Sequence, residues 1–333
     1  MKSNILVIRL SALGDVCMTI PVIYMFAEQN PDVTVHVLTK SKFVQLFFSC
    51  PANVIPISLD DCLSQGLKGL IKAFLQLRRY RFDAVADLHS VLRTYLIGSL
   101  FRLIGTKTVC VDKERGKRKQ LTANKEKKTA QTSYFVRYGN VFSKLGFKVD
   151  LSADSKFLPL VRCERQLNLV GIAPFARYYT KTYPIEYTSE LVRKLTASGY
   201  KVLLFGGGEK EMTIMHDIIK GLENVEVVSD KLSFREQLEL MATLRVMISM
   251  DSANMHLASL VSTPVVSIWG GTTVHCGFLG WRQKQEDAMW KGLSCQPCSI
   301  SGTPQCPLKH FNCMKQLLPE DIFGYIKNRF GIE

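Results

Sequence analysis

The sequence has no apolar run of the roughly 18 residues that a membrane-spanning helix needs. We also expect no signal peptide, because the first apolar run stops at Arg9 and Asp15 stands where a cleavage region should be small and neutral. Cysteine is sparse for a disulfide-stabilised scaffold, at 10 of 333 residues, so we expect most thiols to be reduced. These absences predict a cytoplasmic protein.

Acidic residues are also scarce. There are 29 Asp and Glu residues against 43 Lys and Arg residues, which gives a formal net charge of +14. That excess predicts attraction to an acidic partner: nucleic acid, an anionic membrane surface or a phosphorylated substrate. Apolar residues make up 47% of the chain, which excludes a disordered or fibrous protein, and the length predicts two domains or one large one.

Short β-rich apolar runs alternate with longer helical patterns along most of the chain. In the first half we expect strands at residues 5–9, 33–39, 54–57 and 84–88, and helices at 16–29, 42–48 and 67–79. In the second half we expect strands at 169–173, 201–205, 225–228, 246–249 and 264–268, and helices at 189–197, 209–221, 234–243 and 253–261. Such alternation indicates parallel βαβ units. The predicted fold class is α/β, with two doubly wound parallel-sheet domains that meet near residues 160–165.

One segment departs from this alternation. Between Arg102 and Arg137 there are eleven basic residues and three acidic ones, so more than half of the excess charge lies in this stretch. Lys117, Arg118 and Lys119 are consecutive within it. A basic run is compatible with a solvated surface loop and with an anion-binding face, and the sequence leaves both open.

The segment SALGD, residues 11–15, follows the first predicted strand. In a doubly wound sheet, ligands bind at the carboxyl ends of the strands, where this segment would lie. Gly14 would permit a tight turn or a close backbone approach, and Asp15 is a candidate general base. Position alone favours the alternative that Asp15 caps the following helix. The segment lacks the GxGxxG spacing, so a dinucleotide fingerprint is not supported.

Two further segments follow strands of the second half. Lys181, in the loop APFARYYTKTYP, is placed to neutralise a diphosphate, and its alternative is an ordinary surface lysine. In LFGGGEKE, three glycines permit close approach of a ligand, and Glu209 or Glu211 is placed to accept hydrogen bonds from ribose hydroxyls. The alternative is a tight turn whose acids complement the dipole of the next helix.

The segment SMDSANMHLASL, residues 249–260, is the most informative one. A strand leads into Asp251, Ser252 and Ala253, where a helix is predicted to begin, and His256 stands one turn further. Unpaired N–H groups and the positive dipole end make such a helix start an anion site. Asp251 or Ser252 could instead cap the helix, and His256 could be a core histidine. The small residues beside the histidine favour phosphate binding.

Four cysteines, Cys295, Cys298, Cys306 and Cys313, lie within nineteen positions of a Pro- and Gly-rich segment. Four thiolates at such short range can hold a tetrahedral zinc ion, and the opening C-x2-C fits this. The later gaps are unlike those of a zinc ribbon, which favours loosely packed free thiols over a metal site.

Taken in order, these segments resemble the family 9 glycosyltransferases, the lipopolysaccharide heptosyltransferases. ILVIRLSALGDVCMTIPVI is similar to that family's opening strand and Gly-Asp loop, and APFARYYTKTYP to its donor-loop lysine with an aromatic-Pro pair. LFGGGEKE and DSANMHLASL stand in the places of its Gly-rich turn and its Asp-Thr-Gly-x-x-His segment. The C-terminal cysteine run is similar to one found in many members. The resemblance spans almost the full chain.

The resemblance implies a GT-B architecture, in which two Rossmann-like domains face each other across a cleft. Residues 1–162 would bind the acceptor and residues 163–317 the nucleotide sugar, and a last helix at about 318–333 would pack back on the first domain. The implied reaction is inverting transfer of a sugar, commonly heptose from ADP-heptose, to the inner core of lipopolysaccharide or a related surface glycolipid. No metal and no cofactor are implied.

Residue roles also follow from the resemblance. It implies that Asp15 is the general base and that Gly14 keeps its loop open for the acceptor. The implied donor-binding residues are Lys181 at the phosphates, Glu211 at the ribose, and Asp251, Ser252, Ala253 and His256 along the diphosphate and sugar. Ala253 replaces the usual Gly, which narrows the approach to the donor phosphate, and Ser252 replaces the common Thr.

An acceptor of this class is a lipid with phosphates and acidic sugars at the inner face of the inner membrane. The resemblance therefore implies that the basic stretch, with Lys117, Arg118 and Lys119, lies on the acceptor domain and attracts both this substrate and an anionic membrane surface. Peripheral association with the inner membrane is the resulting expectation. No feature of the sequence sets the oligomeric state.

Three alternatives remain beside this interpretation. A family 9-like transferase with a different nucleotide sugar donor or acceptor would share every motif above. Ala253 is compatible with a catalytically impaired relative. A non-catalytic binder of nucleic acid or another acidic polymer is suggested by charge alone, but no nucleic-acid-binding motif accompanies that charge and the basic stretch lacks interleaved aromatics. Nucleic acid is therefore not an expected partner.

Overall fold

The computed structural model describes residues 3–123 and 129–331. The chain forms two compact units. The first consists of Met1–Lys113 with Thr132–Leu158, and the second of Glu114–Gln131 with Pro159–Glu333. The division near residue 158 lies close to the predicted boundary at 162, but the segment 114–131 is grouped with the second unit.

The first unit is built on a five-stranded parallel sheet in the order β3-β2-β1-β4-β5. Its strands are β1 (Ser3–Ile8), β2 (Val33–Leu38), β3 (Val54–Ile57), β4 (Ala84–Asp87) and β5 (Lys107–Cys110). The helices in this part of the chain are α1 (Leu13–Gln29), α2 (Ser41–Val44), α3 (Asp60–Leu63), α4 (Gly66–Leu77), α5 (Leu92–Leu103), α6 (Arg115–Ala123) and α7 (Tyr134–Leu145). Of these, α6 belongs to the second unit.

The central strand explains why this sheet is covered on both faces. Every residue from Ile5 to Ile8 in β1 is fully buried. Leu6 and Ile8 pack with the buried sides of α4 and α5, and alternate residues of a strand point to opposite faces of the sheet. A strand that is apolar on both sides is typical of parallel sheets with helices on both faces.

The second unit is built on a six-stranded parallel sheet in the order β11-β10-β9-β6-β7-β8. Its strands are β6 (Leu169–Ala173), β7 (Lys201–Leu204), β8 (Val225–Val227), β9 (Val246–Met250), β10 (Val265–Ile268) and β11 (Ala288–Met289). Its further helices are α8 (Ile185–Ala197), α9 (Glu209–Ile219), α10 (Phe234–Ala242), α11 (Ala253–Leu260), α12 (Asn312–Lys315) and α13 (Pro319–Phe330). None of the helices in residues 3–123 and 129–331 has the length and apolarity to cross a membrane.

Both sheets have the doubly wound Rossmann order. β1 pairs with β2 and β4, and β6 pairs with β7 and β9, all in parallel. Each sheet therefore has a switch point, at which neighbouring strands send their connections to opposite sides. The segments that follow β1 and β4, and those that follow β6 and β9, lie at the carboxyl edge where such folds bind ligands.

The predicted α/β class with two doubly wound parallel sheets is confirmed. No element was predicted between residues 88 and 169, where the structure has α5, β5, α6 and α7. Of these, β5 is a short edge strand with little continuous apolar character. The first helix was also expected to start at residue 16, whereas α1 starts at Leu13. Gly and Asp are weak helix formers, which favours a loop at this position, but an Asp in the first turn of a helix is stabilised by the dipole.

The last helix corrects a prediction. We expected a helix at about 318–333 to return to the first domain, but α13 packs against α8 and belongs to the second unit. Ile322 and Ile326 are fully buried in the core of that unit. Lys194 on α8 pairs with Glu320 at 2.5 Å. The apolar stripe of an amphipathic helix fixes which side is buried but not which sheet it covers.

Candidate functional site

An ion pair lies at the carboxyl end of β1. Arg9 follows this strand directly, and its Nη2 is 2.5 Å from Oδ2 of Asp15. Arg9 Nη1 donates hydrogen bonds to the carbonyl of Leu88 at 2.7 Å and to the hydroxyl of Tyr138 at 3.2 Å. Arg9 is buried and held by these protein contacts, while the Asp15 carboxylate is partly exposed. Asp15 is therefore the member of the pair that a bound molecule can reach.

Asp15 is not the helix cap that its sequence position favours. The cap residue of α1 is Ala12, and its backbone N–H donates a hydrogen bond to Asp15 Oδ2 at 3.3 Å. Within the described residues both contacts of the carboxylate use Oδ2, so Oδ1 remains available. Gly14 also lies inside α1 and has no left-handed φ, so it forms a helical turn and not the predicted tight turn.

A cavity of about 580 Å³ opens close to this ion pair. It is lined by Ser11, by Lys40 after β2, by His89 after β4 and by Arg93 at the start of α5. The one carboxylate in the lining, Asp60, accepts hydrogen bonds from the backbone N–H and the hydroxyl of Ser41, at 3.0 and 2.6 Å. The lining is therefore cationic overall, and the volume suits a small saccharide.

His89 brings a neutral imidazole to this cavity. Burial, followed by the positive charges of Arg9 and Lys113, lowers the pKa of His89 to about 3. Lys113 is held nearby by a hydrogen bond from its Nζ to the carbonyl of Ser90, at 2.9 Å. His89 Nδ1 is buried and has no hydrogen-bond partner within the described residues. At neutral pH the ring offers one donor and one acceptor, and no charge, to a bound molecule.

A second ion pair lies at the carboxyl edge of the other sheet. Lys181 ends a short 3-10 turn, Tyr179–Lys181, and its Nζ is 2.9 Å from Oδ2 of Asp251. Thr272, beyond β10, donates a hydrogen bond to the same oxygen at 2.7 Å. Both members of the pair are largely enclosed. Asp251 therefore holds Lys181 in place. It does not cap α11, although a capping role was one of the alternatives for this residue.

Helix α11 begins two residues after Asp251. Its cap residue is Ser252, whose side chain makes no capping hydrogen bond, and its hydroxyl lies 3.4 Å from that of Ser249. Ala253 opens the helix and is partly exposed, and His256 is buried one turn further along. A helix start without a side-chain cap presents backbone N–H groups and a positive dipole end. Together with Lys181, this start suits an anion such as a diphosphate.

Two glycines that follow β10 pack against the turn that contains Lys181, and Thr272 comes directly after them in the chain. The N–H of Gly271 donates a hydrogen bond to the carbonyl of Thr180 at 2.7 Å. A Cβ atom at Gly270 would lie 2.5 Å from that carbonyl oxygen, and one at Gly271 would lie 2.9 Å from the Thr180 hydroxyl. Neither position accommodates a side chain without a shift of the backbone. This close approach places the hydroxyl of Thr272 beside the carboxylate of Asp251.

Glu211 lies in the first turn of α9, after the three-glycine turn. Its Oε2 accepts a hydrogen bond from the N–H of Gly207 at 3.0 Å. Gly208 has a φ of +83°, a left-handed value that favours glycine. The Glu211 carboxylate therefore stabilises the glycine turn that precedes α9, in line with the alternative that this segment is a tight turn. Its role at a ribose stays a prediction.

The basic stretch is divided between the two units: Arg102, Lys107, Lys113 and Arg137 belong to the first unit, as predicted, but its middle part does not. Lys117, Arg118 and Lys119 lie on α6, and α6 is grouped with the second unit, not with the first. The reason is visible at the end of the segment, where the N–H of Gln131 donates to the carbonyl of His275 at 2.8 Å. Lys117 pairs with Glu114 at 2.7 Å. Three more lysines of the stretch, Lys125, Lys127 and Lys128, lie outside the described residues.

The four clustered cysteines belong to the second unit, and all four are free thiols. Burial, followed by the neighbouring thiols, raises the pKa of Cys313 to about 12. In the described parts of the chain, no group of three or more Cys, His, Asp or Glu side chains is placed to hold a metal ion. The zinc alternative therefore gains no support.

Three residues of these sites were not predicted, although a feature of the sequence marks each of them: Arg9, His89 and Thr272. Arg9 ends an otherwise apolar strand, where a buried charge needs a partner. His89 follows a predicted strand in the same way as Asp15 follows the first. Thr272 comes directly after two glycines at a strand end, which is typical of a close backbone approach.

The doubly wound order of both sheets, with an ion pair at the carboxyl edge of each, defines a protein with two Rossmann-like units of the GT-B class. A sequence model of glycosyltransferase family 9 (heptosyltransferase) matches residues 71–309. This match covers well over half of the chain, and the chain belongs to that family.

Individual relatives are similar over nearly the full length. Lipooligosaccharide heptosyltransferase 2 of Campylobacter jejuni is 25% identical over 325 residues, which cover 95% of each chain. Among solved structures, a family 9 glycosyl transferase from Veillonella parvula superposes with a TM-score of 0.74 at 19% identity, covering 99% of this chain and 97% of that one. E. coli heptosyltransferase WaaC with ADP gives 0.69 at 19% identity, covering 98% and 99%. At these identities the structural likeness establishes the fold.

Proposed function

We propose that this protein transfers a heptose from ADP-heptose to the inner core of lipopolysaccharide, or to a related surface glycolipid, with inversion at the anomeric carbon. Family membership supports this, as do relatives that are heptosyltransferases and an E. coli WaaC structure with ADP-2-deoxy-2-fluoro heptose. The observation in this chain that carries the proposal is the enclosed Lys181–Asp251 pair beside the uncapped start of α11.

The donor would bind at the carboxyl edge of the second sheet. Lys181 and the backbone N–H groups at Ser252 and Ala253 would hold the diphosphate, and they would stabilise the negative charge that grows on it as the sugar leaves. Asp251 fixes the direction of Lys181, and His256 lies one turn further along the donor site. Glu211 would accept hydrogen bonds from the ribose. Because these groups supply the charge neutralisation, the reaction as proposed needs no metal ion.

Asp15 would be the general base. Inversion requires that the acceptor oxygen attack the anomeric carbon from the face opposite the nucleotide, and one base must take the proton of that hydroxyl. Arg9 and the N–H of Ala12 hold Oδ2 of the carboxylate, so Oδ1 is the atom that would accept the proton. Gly14, beside it in the helix, adds no side chain that would obstruct the acceptor.

The acceptor would bind in the cavity of the first unit. Lys40 and Arg93 in its lining suit the phosphates or carboxylates of an acidic saccharide, because a cation and an anion form the stronger hydrogen bonds. The neutral His89 would pair with a hydroxyl. Lys117, Arg118 and Lys119 remain a second predicted contact of the acceptor, and charge reversal of all three should raise the acceptor KM if that contact exists.

Thermal unfolding with nucleotide sugars tests the donor. A bound ligand stabilises the folded state by mass action, so ADP-heptose should raise Tm, and GDP- and UDP-sugars at equal concentration should raise it less. Lys181→Met should abolish the shift, while Lys210→Met, on the exposed side of the same unit, should retain it. Transfer to a core acceptor, with the anomeric configuration of the product determined by NMR, then tests inversion. Retention of configuration would contradict the role of Asp15.

A second candidate is a family 9 transferase with a different donor. It would share every motif described above, whereas Ala253, at the place proposed for the phosphate, is compatible with a catalytically impaired relative. The same thermal series decides between the two, since a larger shift with a GDP- or UDP-sugar than with ADP-heptose would support this candidate. A protein that shifts with none of them, yet binds acidic polymer, would be a non-catalytic binder.

A further inference from the structure

Helix α4 exposes large apolar side chains along one face. Leu67, Ile71 and Leu75 are 65, 45 and 50% exposed and stand four residues apart, so they form a stripe. The opposite side of the helix buries Leu70 and Leu77 in the core of the first unit. A contiguous apolar stripe on a surface helix marks an interaction site more often than scattered exposed residues do.

Basic residues accompany this stripe. Lys68 and Lys72 are exposed on the same side of α4, and Arg78 and Arg79 follow its end. From residue 62 to residue 82 the sequence contains five Lys or Arg residues and no Asp or Glu. Exposed apolar residues between Lys and Arg are typical of helices that lie in a bilayer interface.

Helix α5 packs against α4 and continues the same surface. Leu92, Tyr95 and Leu103 are exposed on it, together with Arg93 and Arg102. Residues 88 to 111 again contain no Asp or Glu. We call the exposed residues of both helices the α4–α5 face; they are Leu67, Lys68, Ile71, Lys72 and Leu75 of α4, and Leu92, Arg93, Tyr95, Arg102 and Leu103 of α5.

The α4–α5 face leads to the cavity of the first unit. Leu63 and Ser64, just before α4, line that cavity, and so do Leu92 and Arg93 at the start of α5. The beginnings of both helices thus form part of the cavity, while their lengths carry the apolar and basic surface. A molecule held in the cavity by its polar end has apolar surface directly beside it.

We propose that the α4–α5 face docks this protein on an anionic phospholipid bilayer. Leu67, Ile71 and Leu75 would enter the headgroup region, and the flanking cations would bind lipid phosphates. Resting on the proposed function, the same contact would deliver the saccharide end of a membrane-anchored acceptor into the adjacent cavity. A protein partner fits this face less well, because interface centres are depleted in Lys, whereas Lys68 and Lys72 alternate here with the apolar residues.

Apart from Arg102, which belongs to both, this surface differs from the basic stretch that the resemblance implied for membrane contact. Lys117 on α6 already pairs with Glu114. Within the described part of α6, no large apolar side chain is exposed, and Leu121 is buried. That helix offers charge without apolar insertion, which gives weaker and more salt-sensitive attachment.

Flotation with lipid vesicles tests the apolar part of the proposal. The full chain should float with phosphatidylcholine–phosphatidylglycerol vesicles, and a triple variant with Leu67→Gln, Ile71→Gln and Leu75→Gln should partition at least about tenfold less. The matched control exchanges Leu167, Leu308 and Leu318 for Gln. These side chains are 65, 57 and 47% exposed but belong to the second unit, so this control should float like wild type.

Single substitutions of two lysines test how the basic residues of the α4–α5 face contribute to membrane binding. Lys68→Gln and Lys72→Gln should each weaken partitioning into the anionic vesicles by about fivefold at low salt, and have little effect on pure phosphatidylcholine. Charge reversal at Lys117, Arg118 and Lys119 should cost less than the α4 triple variant. If that reversal abolished flotation while the α4 triple variant floated normally, the proposal would be overturned in favour of the basic stretch.

Two further measurements separate the remaining outcomes. Turnover of the α4 triple variant should match wild type on an acceptor freed of its acyl chains and fall only on acceptor embedded in vesicles. Wild type that floats but transfers nothing to either acceptor would refute the proposed function and leave the docking surface standing. If light scattering showed a wild-type dimer that the α4 triple variant breaks, with flotation unchanged, the face would be a contact between two copies and the proposal would fail.

Discussion

The two units place the same kind of ion pair at the same edge of the sheet, yet they expose opposite members of it. In the first unit the side chain of Arg9 is 6% exposed and that of Asp15 is 30% exposed. In the second, Lys181 is 14% exposed and Asp251 is 5% exposed. The first unit therefore presents a carboxylate to a bound molecule, and the second presents an ammonium group.

The difference follows from which partner the protein holds with additional hydrogen bonds. Arg9 also donates to Leu88 and Tyr138, and Asp251 also accepts from Thr272. Asp15 has one further hydrogen bond, from the N–H of Ala12, against two for Arg9, so in each pair the member with more of these contacts is the more buried one. A carboxylate with one free oxygen suits proton removal, and an ammonium with donors to spare suits a diphosphate. The carboxyl edges of the two sheets therefore present opposite charges, because the first unit fixes the cation of its ion pair and the second unit fixes the anion.

Asp15→Asn should reduce turnover strongly, because it removes the charge that the first pair exposes. Asn keeps the shape of the side chain but takes no proton, so kcat should fall by about 10²–10⁴-fold. Donor affinity should stay near the wild-type value, because the proposed donor residues belong to the other unit. Steady-state release of ADP gives kcat, and calorimetry gives the donor Kd.

The matched control for Asp15 is Asp83→Asn. Asp83 accepts the backbone N–H of Asn4 at 2.7 Å, so it is a hydrogen-bonded carboxylate at the opposite edge of the same sheet. Its replacement should leave kcat unchanged. If Asp15→Asn retained most of the wild-type kcat, the exposed carboxylate of the first pair would have no role as a base.

The second pair is tested by Lys181→Met, which leaves Asp251 buried without its counter-charge. Loss of one partner from a buried pair costs about 3 kcal/mol of unfolding free energy, and donor affinity should fall at least tenfold as the ammonium is lost. Urea unfolding and calorimetry measure the two effects. The double variant Lys181→Met with Asp251→Asn separates them, because it should regain most of the stability and none of the affinity. Recovery of donor affinity in the double variant would show that Lys181 serves only the fold.

The sequence predicts Asp15 of the first pair and both Lys181 and Asp251 of the second, but it predicts neither pairing. Asp15 and Lys181 were found because they follow predicted strands, and strand ends in this fold class meet ligands. The contact between Lys181 and Asp251 joins residues 70 positions apart. It depends on β6 and β9 being neighbours, and hydrophobic periodicity gives strand positions but not strand order. The last helix was expected only from the resemblance, which implied packing on the first domain, whereas α13 packs on α8 of the second unit.

His89, which lies near the first pair and among cations, makes the stability of the first unit depend on pH. An unfolded histidine has a pKa near 6.5, whereas the folded pKa of His89 is about 3, so the unfolded chain binds the proton first as pH falls. This group therefore contributes its full stability above pH of about 6.5 and loses it progressively down to about 3. His89→Gln should reduce the loss of unfolding free energy between pH 7 and 5, measured by urea unfolding. His216→Gln, at an exposed position on α9, should behave like wild type. An unchanged pH profile in His89→Gln would contradict the lowered pKa that burial and the nearby cations give this ring.

A substitution at the start of α11 tests whether this helix start adds positive charge to that of Lys181 at the donor phosphate. Ala253→Gly removes the methyl group at the start of α11, so a phosphate can approach the backbone N–H groups more closely, and donor Kd should fall by about two- to fivefold, equivalent to about 0.5–1 kcal/mol. Ala197→Gly, at the exposed end of α8, is the matched control for the helix cost of glycine and should leave donor Kd unchanged. Calorimetry with ADP decides the outcome. Weaker binding by Ala253→Gly would mean that the phosphate does not rest on the helix start, and the second unit would then present Lys181 alone, as the first presents Asp15.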